Sequence, residues 1–232
     1  MPMQDDAREN EQIRLFKLTR TANTNRGGID AILILDKGRE IPFELKTTTS
    51  GSVTTVRDFG FDHIRKWSDK HWLISKYSKD GTKLEYSLYG SPQAMSGWIK
   101  EKEYIKPDFD LAKLAPSRLT LKDLEVIVGK KKLYSLEDAK KLNKKQYRIS
   151  ECIDLMDQEN GYTPKKMLEI LKNRCKYLIE RGSTLNNPHI PTSYFKGWEQ
   201  ITSNHASRLR ELVIQSLRKQ AIFSRIHKCI SY

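Results

Sequence analysis

Apolar positions recur along this chain first with a helical period, then with strand-like runs, then again with a helical period. Residues 7–18 place Ile13, Leu15 and Phe16 at helical spacing, with Glu9 four positions before Ile13 on the same side. An opening amphipathic helix is expected there. A polar loop over residues 21–28 follows, and then the apolar run 31–35 (AILIL) ends at Asp36-Lys37-Gly38-Arg39, a sequence suited to a hairpin turn. Residues 41–47 (IPFELKT) return as the partner strand. After a hydroxyl-rich stretch, residues 63–67 read as a short helix. Residues 71–78 and 83–90 read as a second hairpin turned at Asp80-Gly81. Helix, hairpin, helix, hairpin predicts an α/β core with a mixed sheet flanked by helices. Trp67 and Trp72 fall on apolar faces and are expected inside it.

Beyond Pro107 the pattern becomes helical, with Pro116 and Lys130–Lys132 marking connections. The best-delimited helix is 164–181, because Thr163 can cap it, Pro164 suits its first position and Gly182 suits its end. Met167, Leu171, Cys175 and Leu178 form its apolar stripe, and Lys165, Lys172 and Lys176 share the opposite side, as either a solvated face or a phosphate track. A last helix over about 205–228 would bury Leu209, Leu212, Val213 and Leu217. Two regions result, residues 1–106 as an α/β core and residues 107–232 as a mainly helical, basic region.

Charge sharpens this division. The net charge is +13 over 232 residues; residues 1–106 carry 18 Lys+Arg against 15 Asp+Glu, and residues 107–232 carry 24 against 14. An excess of this size favours nucleic acid, held through phosphate contacts and counterion release, over an acidic protein or a membrane surface. The three cysteines Cys152, Cys175 and Cys229 are far apart, and their odd number argues against a disulfide framework. They read as thiols in a reducing cytoplasm. The polar start of the chain predicts no signal peptide, and no apolar run approaches the ~18 residues of a membrane span.

Candidate chemistry lies on the first hairpin. Asp30 stands at the mouth of its first strand, and Glu44 and Lys46 sit two apart in the second, so both side chains leave one face. Antiparallel pairing across the turn would bring Asp30 and Glu44 together. Two carboxylates at close range repel unless a cation lies between them, and oxygen donors favour Mg²⁺ or Mn²⁺ over zinc. Lys46 beside the ion would either orient or deprotonate a water, or stabilise charge on a transferring phosphate.

Ile29-Asp30, thirteen intervening residues, and Glu44-Leu45-Lys46 resemble the signature of the PD-(D/E)xK nuclease superfamily, with Ile29 where the motif's name has proline. The resemblance spans roughly residues 7–105. It implies a restriction-endonuclease-like core and a Mg²⁺ ion held by Asp30, Glu44 and the Leu45 carbonyl. It further implies in-line attack of water on a phosphodiester, leaving a 5′ phosphate. Glu9 would add a catalytic or metal contact from the opening helix, or else be a first-turn carboxylate favoured by the helix dipole. The length and the basic helical region point to a type II restriction endonuclease acting on double-stranded DNA as a homodimer. A structure-specific nuclease and an inactive DNA-binding module of the same fold are the alternatives.

Candidate DNA contacts follow from position and residue type. Thr48, Ser50 and Arg57 lie in the loop leaving the catalytic strand, and Lys66 lies just beyond it. Lys165, Lys172 and Lys176 belong to the 164–181 helix. Asn186 and Asn187 lie in an Asn/Pro-rich loop, where they would either read adenine edges or simply shape a turn. His63 is read as a satisfied structural histidine in preference to a ligand or base.

Overall fold

A computed structural model describes residues 2–20, 28–56, 59–144, 146–182 and 187–230. The chain divides into two compact units, Met1–Glu103 with Asn187–Tyr232, and Tyr104–Asn186.

The first unit opens with α1 (Pro2–Phe16), followed by β1 (Thr19–Arg20), β2 (Ala31–Ile34), β3 (Glu40–Thr48) and β4 (Val53–Thr54). Next come α2 (Phe61–Trp67), β5 (His71–Tyr77), β6 (Leu84–Gly90) and α3 (Pro92–Glu101). The second unit contributes α4 (Lys106–Arg118), α5 (Leu121–Val128), α6 (Leu136–Asn143), α7 (Ile149–Asp154) and α8 (Pro164–Gly182). The chain then returns to the first unit with β7 (His189–Ile190), β8 (Gln200–Ile201) and α9 (His205–Ile230).

The expected α/β class with a mixed sheet is observed: a six-stranded sheet runs in the order β1-β2-β3-β5-β6-β8. Both hairpins form as the periodicity predicts. β2 and β3 pair antiparallel with Ala31 opposite Phe43, and β5 and β6 pair antiparallel across the Asp80-Gly81 turn. The first turn needs left-handed backbone at Lys37 (φ 61°) and Gly38 (φ 73°), a cost that glycine removes at the second position. Between the hairpins, β3 and β5 pair parallel, with Glu44 beside Trp72 and Lys46 beside Ile74.

Alternation in β3 separates two environments. Ile41, Phe43 and Leu45 face a core shared with Phe16 and Leu18 next to α1, Leu73 of β5, and Leu209, Leu212 and Val213 of α9. On the opposite face, α2 and α3 deliver Trp67 and Trp98 against Trp72, with ring centroids 5.3–6.0 Å apart. A second, two-stranded ladder joins β4 to β7, Val53 opposite Ile190.

The structure groups the chain differently from a single division after residue 106, because its last segment is placed with the first unit. The stripe of α9 has its apolar partners on the sheet, so residues from Asn187 onward belong with the α/β unit. This redistributes the charge: Tyr104–Asn186 hold 18 Lys+Arg against 12 Asp+Glu, and residues 187–232 hold seven against two. The most unbalanced segment thus joins the unit that carries Asp30, Glu44 and Lys46.

In the second unit, Leu124, Tyr134, Ala139, Leu142 and Tyr162 enclose Met167, Ile170 and Leu171 of α8. Thr163 caps α8 as expected, its Oγ1 accepting the Lys166 amide at 3.2 Å. The stripe expected to continue to Cys175 and Leu178 stops earlier. Ile170 completes it instead, Cys175 is half-buried and Leu178 is 51% exposed, because the enclosing cluster reaches only the first half of the helix. Among the described residues no helix is long and apolar enough to cross a membrane.

Candidate active site

Pairing between β2 and β3 ends at Ala31–Phe43, so the next outward-facing amide of β3, that of Leu45, lacks a strand partner. Asp30 supplies one: its Oδ2 accepts the Leu45 N–H at 2.8 Å. An unpaired buried amide would cost about 1–3 kcal/mol, so this bond fixes the carboxylate at the point where the sheet opens. Glu44 and Lys46 flank that point on the face opposite Leu45. The ammonium of Lys46 lies 2.7 Å from Glu44 Oε1, 3.0 Å from the Leu45 carbonyl oxygen and 3.7 Å from Asp30 Oδ2. The structure thus brings together the three residues that the spacing singles out and the Leu45 carbonyl that the resemblance adds, with the lysine nitrogen among the three oxygens.

Glu44 is buried, and its second oxygen is held by a residue that the sequence does not flag. Lys70 donates to Glu44 Oε2 at 2.6 Å and to the Gly28 carbonyl at 2.9 Å. Burial alone would raise the Glu44 pKa, but the two ammonium groups outweigh it and hold the carboxyl down at about 2. Burial likewise works against the charge on Lys46, and Glu44 and Asp30 overcome it, so its pKa is raised and the amine stays charged. At Asp30 the balance tips the other way. Burial outweighs the nearby Lys46 and raises the carboxyl pKa, with Glu44 adding repulsion. The cluster has one carboxylate satisfied by cations and one short of positive charge.

A second unflagged residue braces the strand from the opposite side. Gln12 of α1 is fully buried, and its amide nitrogen donates to the Lys46 carbonyl at 3.1 Å, to the Leu73 carbonyl at 3.3 Å and to Ser75 Oγ at 2.7 Å. It links β3 and β5 at the level of Lys46. Its readable signal is a polar side chain on the helix stripe four positions before Phe16. Lys70 has no comparable signal, since its partner is set by parallel pairing across the sheet.

Glu9 lies near this cluster without joining it. With Gln12, Leu45, Lys46 and Thr47 it lines a cleft of about 200 Å³, and its carboxylate pairs with Arg20 at 3.0 Å. Among the described residues no group of three or more His, Cys, Asp or Glu side chains is arranged to hold a metal. The oxygens that could hold a metal here are those of the Asp30 and Glu44 carboxylates and the Leu45 carbonyl. An oxygen set of this size suits Mg²⁺, which binds through one or two carboxylates and retains several waters.

The remaining candidates are more scattered. Thr48 Oγ1 accepts the Ser50 and Gly51 amides at 3.2 and 3.1 Å, so those amides are committed within the loop, while the Ser50 side chain is exposed. Lys66 is exposed on α2. His63 accepts the Gly60 amide through Nδ1 at 3.1 Å, a structural role at the start of α2. On α8, Lys165 and Lys176 are exposed, Lys172 is half-buried, and Lys176 pairs with Glu180. Asn187 is exposed. Arg57 and Asn186 lie outside the described residues, as does the side chain of Cys229. Cys152 is buried and its Sγ accepts from Asn143 Nδ2 at 3.2 Å.

Comparison of the chain with protein-family models and with curated proteins yields no match.

Proposed function

We propose that this protein is a Mg²⁺-dependent endonuclease of the PD-(D/E)xK type that hydrolyses phosphodiester bonds of double-stranded DNA, with Asp30, Glu44 and Lys46 at its active site. The observation that carries this reading is the meeting of Asp30 Oδ2, Glu44 Oε1 and the Leu45 carbonyl around one buried cationic nitrogen. Three oxygens, one from the residue preceding β2 and two from the middle of β3, surround a place where positive charge is needed, and phosphodiester hydrolysis needs positive charge there too. Asp30, Glu44 and the Leu45 carbonyl would hold the ion, which when bound supplies Lewis-acid stabilisation of the phosphate and a more acidic water. Mn²⁺ fits the same donors.

The chain's own residues divide the remaining work. Lys46 is kept charged by its neighbours, which favours stabilisation of developing phosphate charge over proton abstraction. Lys70 holds the second oxygen of Glu44, leaving the first directed towards Lys46. Gln12 fixes the height of β3 against β5. The six-stranded sheet with helices on both faces is the setting expected of a restriction-endonuclease-like core, and the basic residues after Asn187 bring attraction for phosphates to the same unit.

Within this reading a type II restriction endonuclease, acting as a homodimer on a short specific sequence, is the first choice. Incubation with phage DNA and Mg²⁺ is the test. Discrete fragments are expected. Selective cutting of branched DNA would point instead to a structure-specific nuclease, and no cleavage of any DNA, with tight DNA binding, would leave a binding module.

A further inference from the structure

The face of the sheet that carries Lys46 continues into a cleft not used in the chemistry above. Lys46, Ile74, Leu88 and Gln200 are neighbours in register across β3, β5, β6 and β8, and Thr48, Lys76 and Tyr86 form the next row. Beyond Lys46 these two rows floor a cavity of about 420 Å³. Its far wall is the segment following β7, where Thr192, Ser193, Lys196 and Trp198 reach the same space.

This wall is fastened in place. The β4–β7 ladder ties the loop after β3 to it, Trp98 Nε1 donates to the His189 carbonyl at 3.1 Å, and the Tyr194 hydroxyl donates to the Ala94 carbonyl at 2.8 Å. Trp198 packs edge-to-face on Phe195 and lies over Gly90, where a Cβ would come within 2.5 Å of the indole. Gly51 (φ 97°) closes the near rim, where a Cβ would meet Thr192 Oγ1 at 3.2 Å.

The lining combines three chemistries. Lys76 and Lys196 supply positive charge, and among the described residues no acidic side chain lines the cleft. Tyr86 and Trp198 supply aromatic surface over the apolar floor of Ile74 and Leu88. Thr48, Thr192 and Ser193 supply hydroxyls at the rim. An anion alone would leave the aromatic wall unused, and an apolar ligand would leave the lysines unused; a nucleotide uses both.

We propose that the cleft between Trp198, Tyr86, Lys76 and Lys196 binds one unpaired nucleotide of a DNA strand, its base against the aromatic wall and its phosphate at the lysines. Thr48 stands two positions beyond Lys46 on β3, roughly 7 Å along the strand, so the nucleotide would neighbour the phosphate being cut. Only this last placement rests on the nuclease reading; binding itself needs no metal and no chemistry.

The full chain, without metal, is titrated with deoxynucleoside 5′-monophosphates, with the free deoxynucleosides and with inorganic phosphate, following tryptophan fluorescence and heat. A monophosphate should bind saturably and more tightly than either fragment. Trp198→Ala should weaken it roughly tenfold, the scale of a lost stacking contact, and Trp198→Phe should largely retain it. The exposed substitution Lys196→Gln, which disturbs no packing, should weaken the monophosphate but not the nucleoside, and it serves if Trp198→Ala fails to fold. No saturable binding, equal affinity for inorganic phosphate, or unchanged affinity in the folded Trp198 and Lys196 variants would each overturn the proposal. DNA cleavage without nucleotide binding removes this inference alone, whereas nucleotide binding in a protein that cuts no DNA removes the nuclease reading and leaves the cleft.

Discussion

Lys70, the residue just before the neighbouring parallel strand β5, reaches Glu44 Oε2 at 2.6 Å, so the buried carboxylate is shared between two lysines. One cation would suffice to pair its charge. The second also bonds the Gly28 carbonyl, two residues before Asp30, and so connects the two carboxylate-bearing segments.

Removal of that bridge should be costly. Lys70→Met leaves Glu44 buried with only Lys46 beside it, and a loss of about 3 kcal/mol is expected on urea unfolding. Adding Glu44→Gln to Lys70→Met should recover much of this loss, because no unpaired charge then remains; a strictly additive double variant would show that the two residues do not act as a pair.

Asp30→Ala and Glu44→Ala should each abolish cleavage. Asp30→Ala should leave metal-free DNA binding intact or tighter, since it removes negative charge facing phosphates, whereas Glu44→Ala leaves Lys46 and Lys70 without their shared buried carboxylate and should also lose stability. Lys46→Ala should lose cleavage and more DNA binding than either. Asp30 also caps the Leu45 amide, so Asp30→Asn, whose amide oxygen can still accept that bond, separates the two roles. Full activity in Asp30→Asn would exclude the carboxylate from the chemistry.

Stability should depend on pH through His71. Burial, and secondarily Arg39, lower its pKa from 6.5 to about 4, while its Nδ1 lies 2.7 Å from the Tyr89 hydroxyl. The unfolded chain therefore binds this proton more readily than the folded one. The contribution is fully present above about pH 6.5 and is lost as pH falls towards 4, amounting to about 3 kcal/mol. Thermal midpoints measured from pH 7.5 to 4 should fall more steeply in the native protein than in His71→Gln.

Replacing Lys165, Lys172 and Lys176 with Gln tests whether α8 follows phosphates. If it does, affinity for all DNA sequences should drop alike, and the slope of log K against log salt should flatten by up to about three units. Stability should barely change, because Met167, Ile170 and Leu171 are untouched. An unchanged slope would assign the phosphate contacts to the basic residues of the first unit.

Much of the candidate site is legible from local pattern alone. The alternation in residues 41–47 and the Lys37-Gly38 turn specify a hairpin, and a hairpin of that register leaves Asp30 opposite Glu44 whatever the rest of the chain does. The ends of α8 are legible for the same reason, since Thr163 and Pro164 act on the adjacent turn. Tertiary structure alone decides the rest. Parallel pairing of β3 with β5 has no signature in spacing, and it is this pairing that places Lys70 beside Glu44 and Lys76 beside Thr48. The return of α9 to the sheet is equally hidden, because an amphipathic stripe announces that a face will be buried but not against what. Local hydrogen bonding and side-chain period are properties of neighbouring residues. The compensation of a buried charge, and the choice of which apolar face covers which, depend on residues that meet only when the whole unit has closed.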